Sequence, residues 1–301
     1  MTPIYHTRIL AIFLFLFVGS TTTLAQTEDE TISVDASIVV VNASVLDASG
    51  KPVSGLGQKL FRIFEDGVEQ KLELFSSDET PFAAVILLDT SGSMERRVSL
   101  ARSAAIQFLD GLRADDFVAI YNFDSKVKLV QDFSNSRDIR DQVYDLKADG
   151  MTVMNDAVFK AAELLSKREE KRKAIVVLSD GADTMSGKSS EKALQAAIAA
   201  GCTIYTVDMS AINDNSVGRR QNQGVLKNFA DKTGGTFIAT PGGQAMREAF
   251  RSIVGEIGVQ YTLAYSPTNT KKDGKWRAIE VRVGRPNLTI RTRKGYRAPK
   301  K

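Results

Sequence analysis

The chain has 301 residues, of which 43% are hydrophobic and 25% are charged, a balance that is ordinary for one or two globular domains. Its formal net charge is only +4 and charges of both signs are mixed along the chain, so the composition gives no support for nucleic-acid binding. The single cysteine, Cys202, excludes an intramolecular disulfide, and we expect it to be a small buried hydrophobe.

The first 25 residues have the pattern of a secretory signal peptide. Arg8 supplies a positive charge, residues 9–18 form an apolar core, and Ala25 ends a small-residue cleavage site. The apolar run is too short to span a membrane comfortably, so we expect cleavage near Ala25 and no membrane span afterwards. Cleavage would remove His6, the only histidine, and thereby exclude Ser-His-Asp catalysis and histidine-ligated zinc.

Residues 32–79 have the pattern of a small β unit. A strand rich in Val and Ile is predicted over residues 32–46, and a short strand over residues 61–64. Glu65-Asp66-Gly67 is a hairpin signal, and the strand that follows it is predicted over residues 72–75.

From Phe82 the pattern changes to strands that alternate with helices, which predicts a doubly wound α/β domain over residues 81–258. The predicted strands are 82–89, 117–123, 126–131, 174–178, 203–207 and 236–239, and the predicted helices lie near 100–112, 156–166, 191–200, 225–233 and 244–257. We expect a mainly parallel sheet of five or six strands, with residues 126–131 as an antiparallel edge.

Residues 259–299 return to a β pattern. Strands are predicted over residues 261–265, 276–283 and 287–291, with a hairpin turn at residues 272–275. Because a three-strand meander cannot bury much apolar surface alone, we expect it to pack on the N-terminal β unit. The two segments would then form one discontinuous β-sandwich into which the α/β domain is inserted.

Oxygen-bearing side chains stand at the ends of the predicted strands. Asp89, Ser91 and Ser93 follow the apolar strand 82–88, Thr152 precedes a helix, and Asp180 follows strand 174–178. Ligands of open α/β sheets bind at such strand ends. Carboxylate and hydroxyl oxygens are ligands that a hard divalent cation prefers, so we expect these residues to converge on a metal site.

These three fragments, in this order, resemble the metal-ion-dependent adhesion site (MIDAS) of the von Willebrand factor type A (VWA) domain, a Rossmann-like fold. The resemblance covers roughly residues 81–258. It implies that the hydroxyls of Ser91, Ser93 and Thr152 contact Mg²⁺, or Mn²⁺ or Ca²⁺. It implies that Asp89 and Asp180 supply negative charge, often through water.

The resemblance also implies a function. An acidic side chain of a protein or matrix partner would complete the coordination of the cation, and the helix at 244–257 would move when it does. The expected protein is a secreted, periplasmic or envelope adhesion module and not an enzyme. The leader, the segment Gly67-x-x-Gln70 and Lys294-Gly295-Tyr296 are similar to the VWA-related secreted proteins of acidobacteria.

The sequence also allows other interpretations of these residues. Residues 182–189 satisfy a relaxed phosphate-loop pattern and suggest nucleotide binding, although Asp183 would repel phosphates. A metal-dependent hydrolase would need a base, for which Asp89 and Asp124 are the candidates. Alternatively, Ser93 and Thr152 only cap helices and Asp180 only makes a turn. A further alternative is a purely structural envelope protein whose VWA domain has lost its ligand. The sequence leaves the partner, the cation and the oligomeric state undetermined.

Overall fold

The computed structural model describes residues 38–137, 143–144, 146–210, 216–239 and 243–300. The predicted signal peptide and the start of the first predicted strand therefore lie outside the described residues. The described residues cluster as a single unit. No described helix is long and apolar enough to cross a membrane.

The elements follow the predicted order. The strands are β1 (Val39–Leu46), β2 (Phe61–Glu65), β3 (Val68–Gln70), β4 (Leu74–Ser76), β5 (Phe82–Asp89), β6 (Phe117–Phe123), β7 (Val127–Ser134), β8 (Arg172–Ser179), β9 (Cys202–Asp208), β10 (Phe237–Ile238), β11 (Tyr261–Tyr265), β12 (Trp276–Val283), β13 (Thr289–Thr292) and β14 (Gly295–Arg297). The helices are α1 (Val98–Asp110), α2 (Met154–Ser166), α3 (Ser190–Ala199), α4 (Val217–Thr233) and α5 (Gly243–Gly258).

The α/β part is built on a six-stranded sheet with the order β10-β9-β8-β5-β6-β7. Its strands are parallel except β7, which pairs antiparallel with β6 at the edge. All eight residues of β5 are buried, because α1 and α5 cover one face of the sheet while α2, α3 and α4 cover the other. The predicted doubly wound, mainly parallel sheet with one antiparallel edge is confirmed.

The N- and C-terminal segments together form a β-sandwich. One sheet has the order β13-β1-β11-β4 and the other has the order β14-β12-β2-β3, so each sheet contains strands from both segments. Their facing sides bury Val41, Ile63, Leu263 and Val281 in one core. The predicted discontinuous sandwich is confirmed.

The predicted pairings inside these segments are wrong. β11 and β12 do not form a hairpin, because β11 pairs with β1 and β4 whereas β12 pairs with β2 and β14. The turn residue Gly274 does adopt a left-handed φ of 68°, but it lies in a crossover between the two sheets. Likewise β3, not residues 72–75, completes the hairpin after Asp66-Gly67. Turn residues mark where a chain bends, while burial of both apolar faces decides which strands pair.

A buried arginine ties the two parts together. Arg172, at the start of β8, is fully buried and donates hydrogen bonds to the backbone carbonyls of Asp78, Gly258 and Gln260. These carbonyls lie where the chain enters the α/β part and where it leaves α5. Burial lowers the pKa of Arg172 to about 10, so the side chain is still a cation at neutral pH.

Candidate metal centre

Asp89 organises the loop that follows β5. It is fully buried, and its Oδ1 accepts hydrogen bonds from the backbone N–H of Ser91 at 2.9 Å and from Ser91 Oγ at 2.6 Å. Ser91 Oγ lies 3.1 Å from Ser93 Oγ. An aspartate that bonds to the backbone two residues further on stabilises a tight turn, and here the turn brings two hydroxyls together.

The end of β8 contacts the same carboxylate. Ser179 Oγ donates to Asp89 Oδ2 and accepts from the N–H of Gly181 at 3.0 Å. Asp180 is half-buried; its Oδ1 accepts from Ala182 N–H at 3.0 Å, and no described residue donates a hydrogen bond to its Oδ2. Both oxygens of Asp89 are therefore fixed, while Asp180 keeps one oxygen available for a ligand.

A third loop, which contains Thr152, contacts the Asp89 loop. Gly92 N–H donates to the carbonyl of Gly150 at 3.2 Å, which joins the Asp89–Ser93 loop to the segment that leads into α2. Thr152 is only 4% exposed, and its hydroxyl makes no hydrogen bond within the described part of the chain. Gly150 needs to be a glycine, because its φ is 78° and a Cβ there would lie 2.6 Å from Ser125 Oγ.

Burial dominates the electrostatics of this site. Desolvation raises the pKa of Asp89 to about 6, hydrogen bonds from Ser179 and Ser91 lower it, and the charge of Asp180 raises it again. The effect of the Asp180 charge means that the carboxylates of Asp89 and Asp180 interact electrostatically.

The donor set fits a hard dication. The described residues contain no group of three or more Asp, Glu, His or Cys side chains that could hold a metal ion. A cation here would thus be held by two carboxylates together with neutral hydroxyls. Mg²⁺ keeps several waters and takes few carboxylates, so a mixed set with unbonded oxygens on Thr152 and Asp180 suits it.

The hydroxyls do not serve as helix caps. Arg97 precedes α1 and Val153 precedes α2, and neither position makes a side-chain capping bond. The first turn of α2 is instead satisfied by Asp183, whose Oδ2 accepts from Asn155 N–H at 2.7 Å. Interpreting Ser93 and Thr152 as caps is therefore wrong.

The phosphate-loop interpretation also loses its support. The N–H groups of Gly187 and Lys188 donate to the carboxylate of Asp156 at 2.9 and 2.8 Å, so the chain's own acid occupies the place of a phosphate. Ser189 caps α3 by accepting from Lys192 N–H at 3.3 Å, as an ordinary loop-to-helix junction does.

Sequence reasoning found the convergent loops but missed two contacts. It did not identify the hydrogen bond from Ser179 to Asp89. It also missed the loop at Thr184 and Met185, whose N–H groups both donate to the carbonyl of Thr152 at 3.0 Å. Thr184 returns a bond through its Oγ1, which accepts from Thr152 N–H. No local pattern signals a contact between residues 32 positions apart.

Comparison with known proteins identifies the fold family. A family model described as the von Willebrand factor type A domain matches residues 84–182. The chain contains a von Willebrand factor type A domain. The solved VWA domain of the type V pili tip protein Mfa5 from Porphyromonas gingivalis is 14% identical, with a TM-score of 0.50. That match covers 60% of this chain and 97% of the other.

Curated relatives match over only part of this chain. Inter-alpha-trypsin inhibitor heavy chain H3 of Mus musculus is 28% identical over 129 residues, which is 38% of this chain and 14% of that protein. An uncharacterised protein of Synechocystis is 31% identical over 106 residues, which is 34% of this chain and 25% of that one. The chain thus spans only a small part of the curated relatives it matches, and the likeness to secreted acidobacterial proteins stays a prediction.

Proposed function

We propose that the chain is a cation-dependent binding module that recognises an acidic side chain of a protein or matrix partner. Asp89, Ser91, Ser93, Thr152 and Asp180 would hold the cation. The observation that carries the proposal is the bond from Gly92 N–H to Gly150 O, since it joins the loop of Thr152, whose hydroxyl has no bond within the described chain, to the Asp89 loop.

Each residue of the chain has a distinct task in this proposal. Ser179 holds Asp89 by a hydrogen bond, and Asp89 in turn orients Ser91. When bound, the cation supplies a Lewis-acidic centre that attracts a carboxylate oxygen. Ser91, Ser93 and Thr152 donate neutral oxygens, so they leave most of the cation's charge available for a partner acid.

The pattern of engaged carboxylates favours binding over hydrolysis. Asp124 accepts a bond from Lys128 Nζ at 2.6 Å and one from Lys126 N–H at 3.0 Å. Both oxygens of Asp89 are bonded to serines. Both candidate bases are thus already engaged by hydrogen-bond donors, which disfavours proton abstraction from a substrate or water. The same fold occurs in a pilus tip protein, which agrees with a binding role.

We also propose that the module works outside the cytoplasm, as a secreted, periplasmic or envelope protein. The support is the leader-like pattern of residues 1–25. Sequencing the N-terminus of the exported protein tests this, and a mature start near Gln26 is expected.

The cation site is tested with Asp89→Ala, and with Glu163→Ala on the exposed side of α2 as the matched control. We expect both variants to fold, and only Asp89→Ala to lose Mg²⁺ affinity in isothermal titration. The affinity of the wild type should be weak and its thermal shift with Mg²⁺ small, since two carboxylates hold the ion loosely. Equal Mg²⁺ affinity of all three proteins would refute the assignment.

Retention of a partner is the second readout. A pull-down from envelope extracts in the presence of Mg²⁺ compares wild type and Asp89→Ala as baits. We expect the wild-type bait to retain a protein that the Asp89→Ala bait does not retain. If the same proteins are recovered with both baits, the cation does not mediate the contact.

A further inference from the structure

We propose that Met151 and Met185 form an apolar contact surface beside the cation site, here called the methionine rim. The partner would accordingly present an acidic residue directly next to a large aliphatic or aromatic residue. This inference rests on the proposed function and specifies which acidic segments the site accepts.

The two methionines flank Thr152 from different parts of the chain. Met151 precedes Thr152 directly, and Met185 reaches it because its N–H donates to the carbonyl of Thr152 at 3.0 Å. Both methionines are therefore neighbours of Thr152, one in sequence and one through a backbone hydrogen bond.

Exposure distinguishes these two residues from the other described methionines. Met151 is 50% exposed and Met185 is 58% exposed. By contrast, Met94, Met154, Met209 and Met246 are each at most 2% exposed. Methionine is ordinarily a buried residue, and exposed methionines are enriched where proteins contact partners.

Hydrogen bonds hold the backbone under the methionine rim in place, while the two methionine side chains are half-exposed. Met151 N–H donates to Ser125 Oγ at 3.0 Å, and Thr152 N–H donates to Thr184 Oγ1 at 3.0 Å. Methionine has an unbranched, polarizable side chain that adapts to differently shaped apolar groups. The rim is therefore a fixed platform with adaptable contacts.

Two acids close in sequence to the methionine rim, Asp149 and Asp183, already accept hydrogen bonds, Asp149 from Gly150 N–H at 2.7 Å. Asp183 accepts bonds from Asn155 N–H, Ser186 N–H and Ser186 Oγ, and Lys188 Nζ lies 5.3 Å from the ring centre of Phe159. The cation would bind the carboxylate of the partner's acidic residue. The next residue of the partner, whose Cα lies about 3.8 Å from the Cα of that acidic residue, would contact the apolar surface. Charge pairs the cation with the acid, and the methionines favour an apolar neighbour.

The test uses immobilised synthetic peptides in which a central Asp is flanked on one side by Gly, Ser, Lys, Leu or Phe. Binding of the wild type, of the double variant Met151→Gln/Met185→Gln and of Asp89→Ala is measured with Mg²⁺ and with EDTA. Gln keeps the length and the unbranched shape of Met but is polar. Val68→Thr is the matched control, because Val68 is 56% exposed at the β2–β3 hairpin, away from the α/β sheet.

The wild type is expected to bind Leu- and Phe-flanked peptides about tenfold more tightly than Gly-flanked ones, and only with Mg²⁺. The double variant should retain Mg²⁺ affinity and lose this preference, whereas Val68→Thr should keep it. Mg²⁺-dependent binding that is equal for all flanks, or a preference that survives in the double variant, overturns the inference and leaves the proposed function standing. Absence of any Mg²⁺-dependent difference between wild type and Asp89→Ala overturns both.

Discussion

Replacing Thr152 by valine separates a role in cation binding from a role in folding. Valine has the shape of threonine without its hydroxyl, and Thr152 is 4% exposed, so the change adds almost no apolar surface to solvent. The hydroxyl has no hydrogen-bond partner within the described chain, so no group is left unsatisfied. We therefore expect the free energy of unfolding without metal to change by no more than about 0.5 kcal/mol.

The Mg²⁺ affinity of Thr152→Val should nevertheless fall by at least about tenfold, or about 1.4 kcal/mol, because a ligand is removed. Urea unfolding in EDTA measures the first quantity, and isothermal titration measures the second. An unchanged Mg²⁺ affinity would refute the ligand role. A loss of more than about 1 kcal/mol of stability would show that the hydroxyl is structural.

Thr233→Val is the matched control, with the opposite expected outcome. Thr233 is equally buried, at 3% exposed, but its Oγ1 accepts from Ile204 N–H at 2.8 Å and donates to Phe229 O at 2.8 Å. Valine here leaves a buried N–H unpaired, so we expect a loss of about 1–3 kcal/mol of stability and no change in Mg²⁺ affinity.

Three further predictions concern the frame around the site. Gly181→Ala should lower the free energy of unfolding by at least about 2 kcal/mol, because φ is 82° and the new Cβ would lie 2.6 Å from Asn222 O. Arg172→Met should cost about 3 kcal/mol, since it leaves the buried carbonyls of Gly258 and Gln260, and that of Asp78, without their donor. Burial raises the pKa of Cys202 to about 12, so its thiol should be unreactive toward a disulfide reagent at pH 8 in the folded protein and reactive in guanidinium.

A control variant or a contradicting result tests each of these three predictions. Gly201→Ala is the control for Gly181→Ala, because Gly201 has a φ of 72° but open space around its Cβ position, and only about 1 kcal/mol of loss is expected. Equal losses in urea unfolding would mean that the contact with Asn222 is irrelevant. For Arg172→Met, wild-type stability would show that the carbonyls find water. Stoichiometric labelling of native Cys202 at pH 8 would contradict its burial.

Local signals were sufficient for most of the elements. Strand β5 was predictable because it is an unbroken apolar run, and its burial on both faces is the reason for that run. The end of α4 was predictable from Gly234, which has a left-handed φ of 83°. The start of α4 was not, since residues 217–224 are mostly polar and the helix is begun by Ser216, which accepts from Arg219 N–H. Capping by one serine is a weak signal without an apolar stripe.

What the sequence alone determined is the set of oxygen-bearing residues at the strand ends and the order of strands and helices, because hydrophobic period and turn residues act over a few positions. The tertiary structure decided which of these residues meet. It bonds Ser179 to Asp89 and sets Met185 against Thr152. It also sends β11 and β12 into opposite sheets, because burying both apolar faces outweighs the local preference for a hairpin.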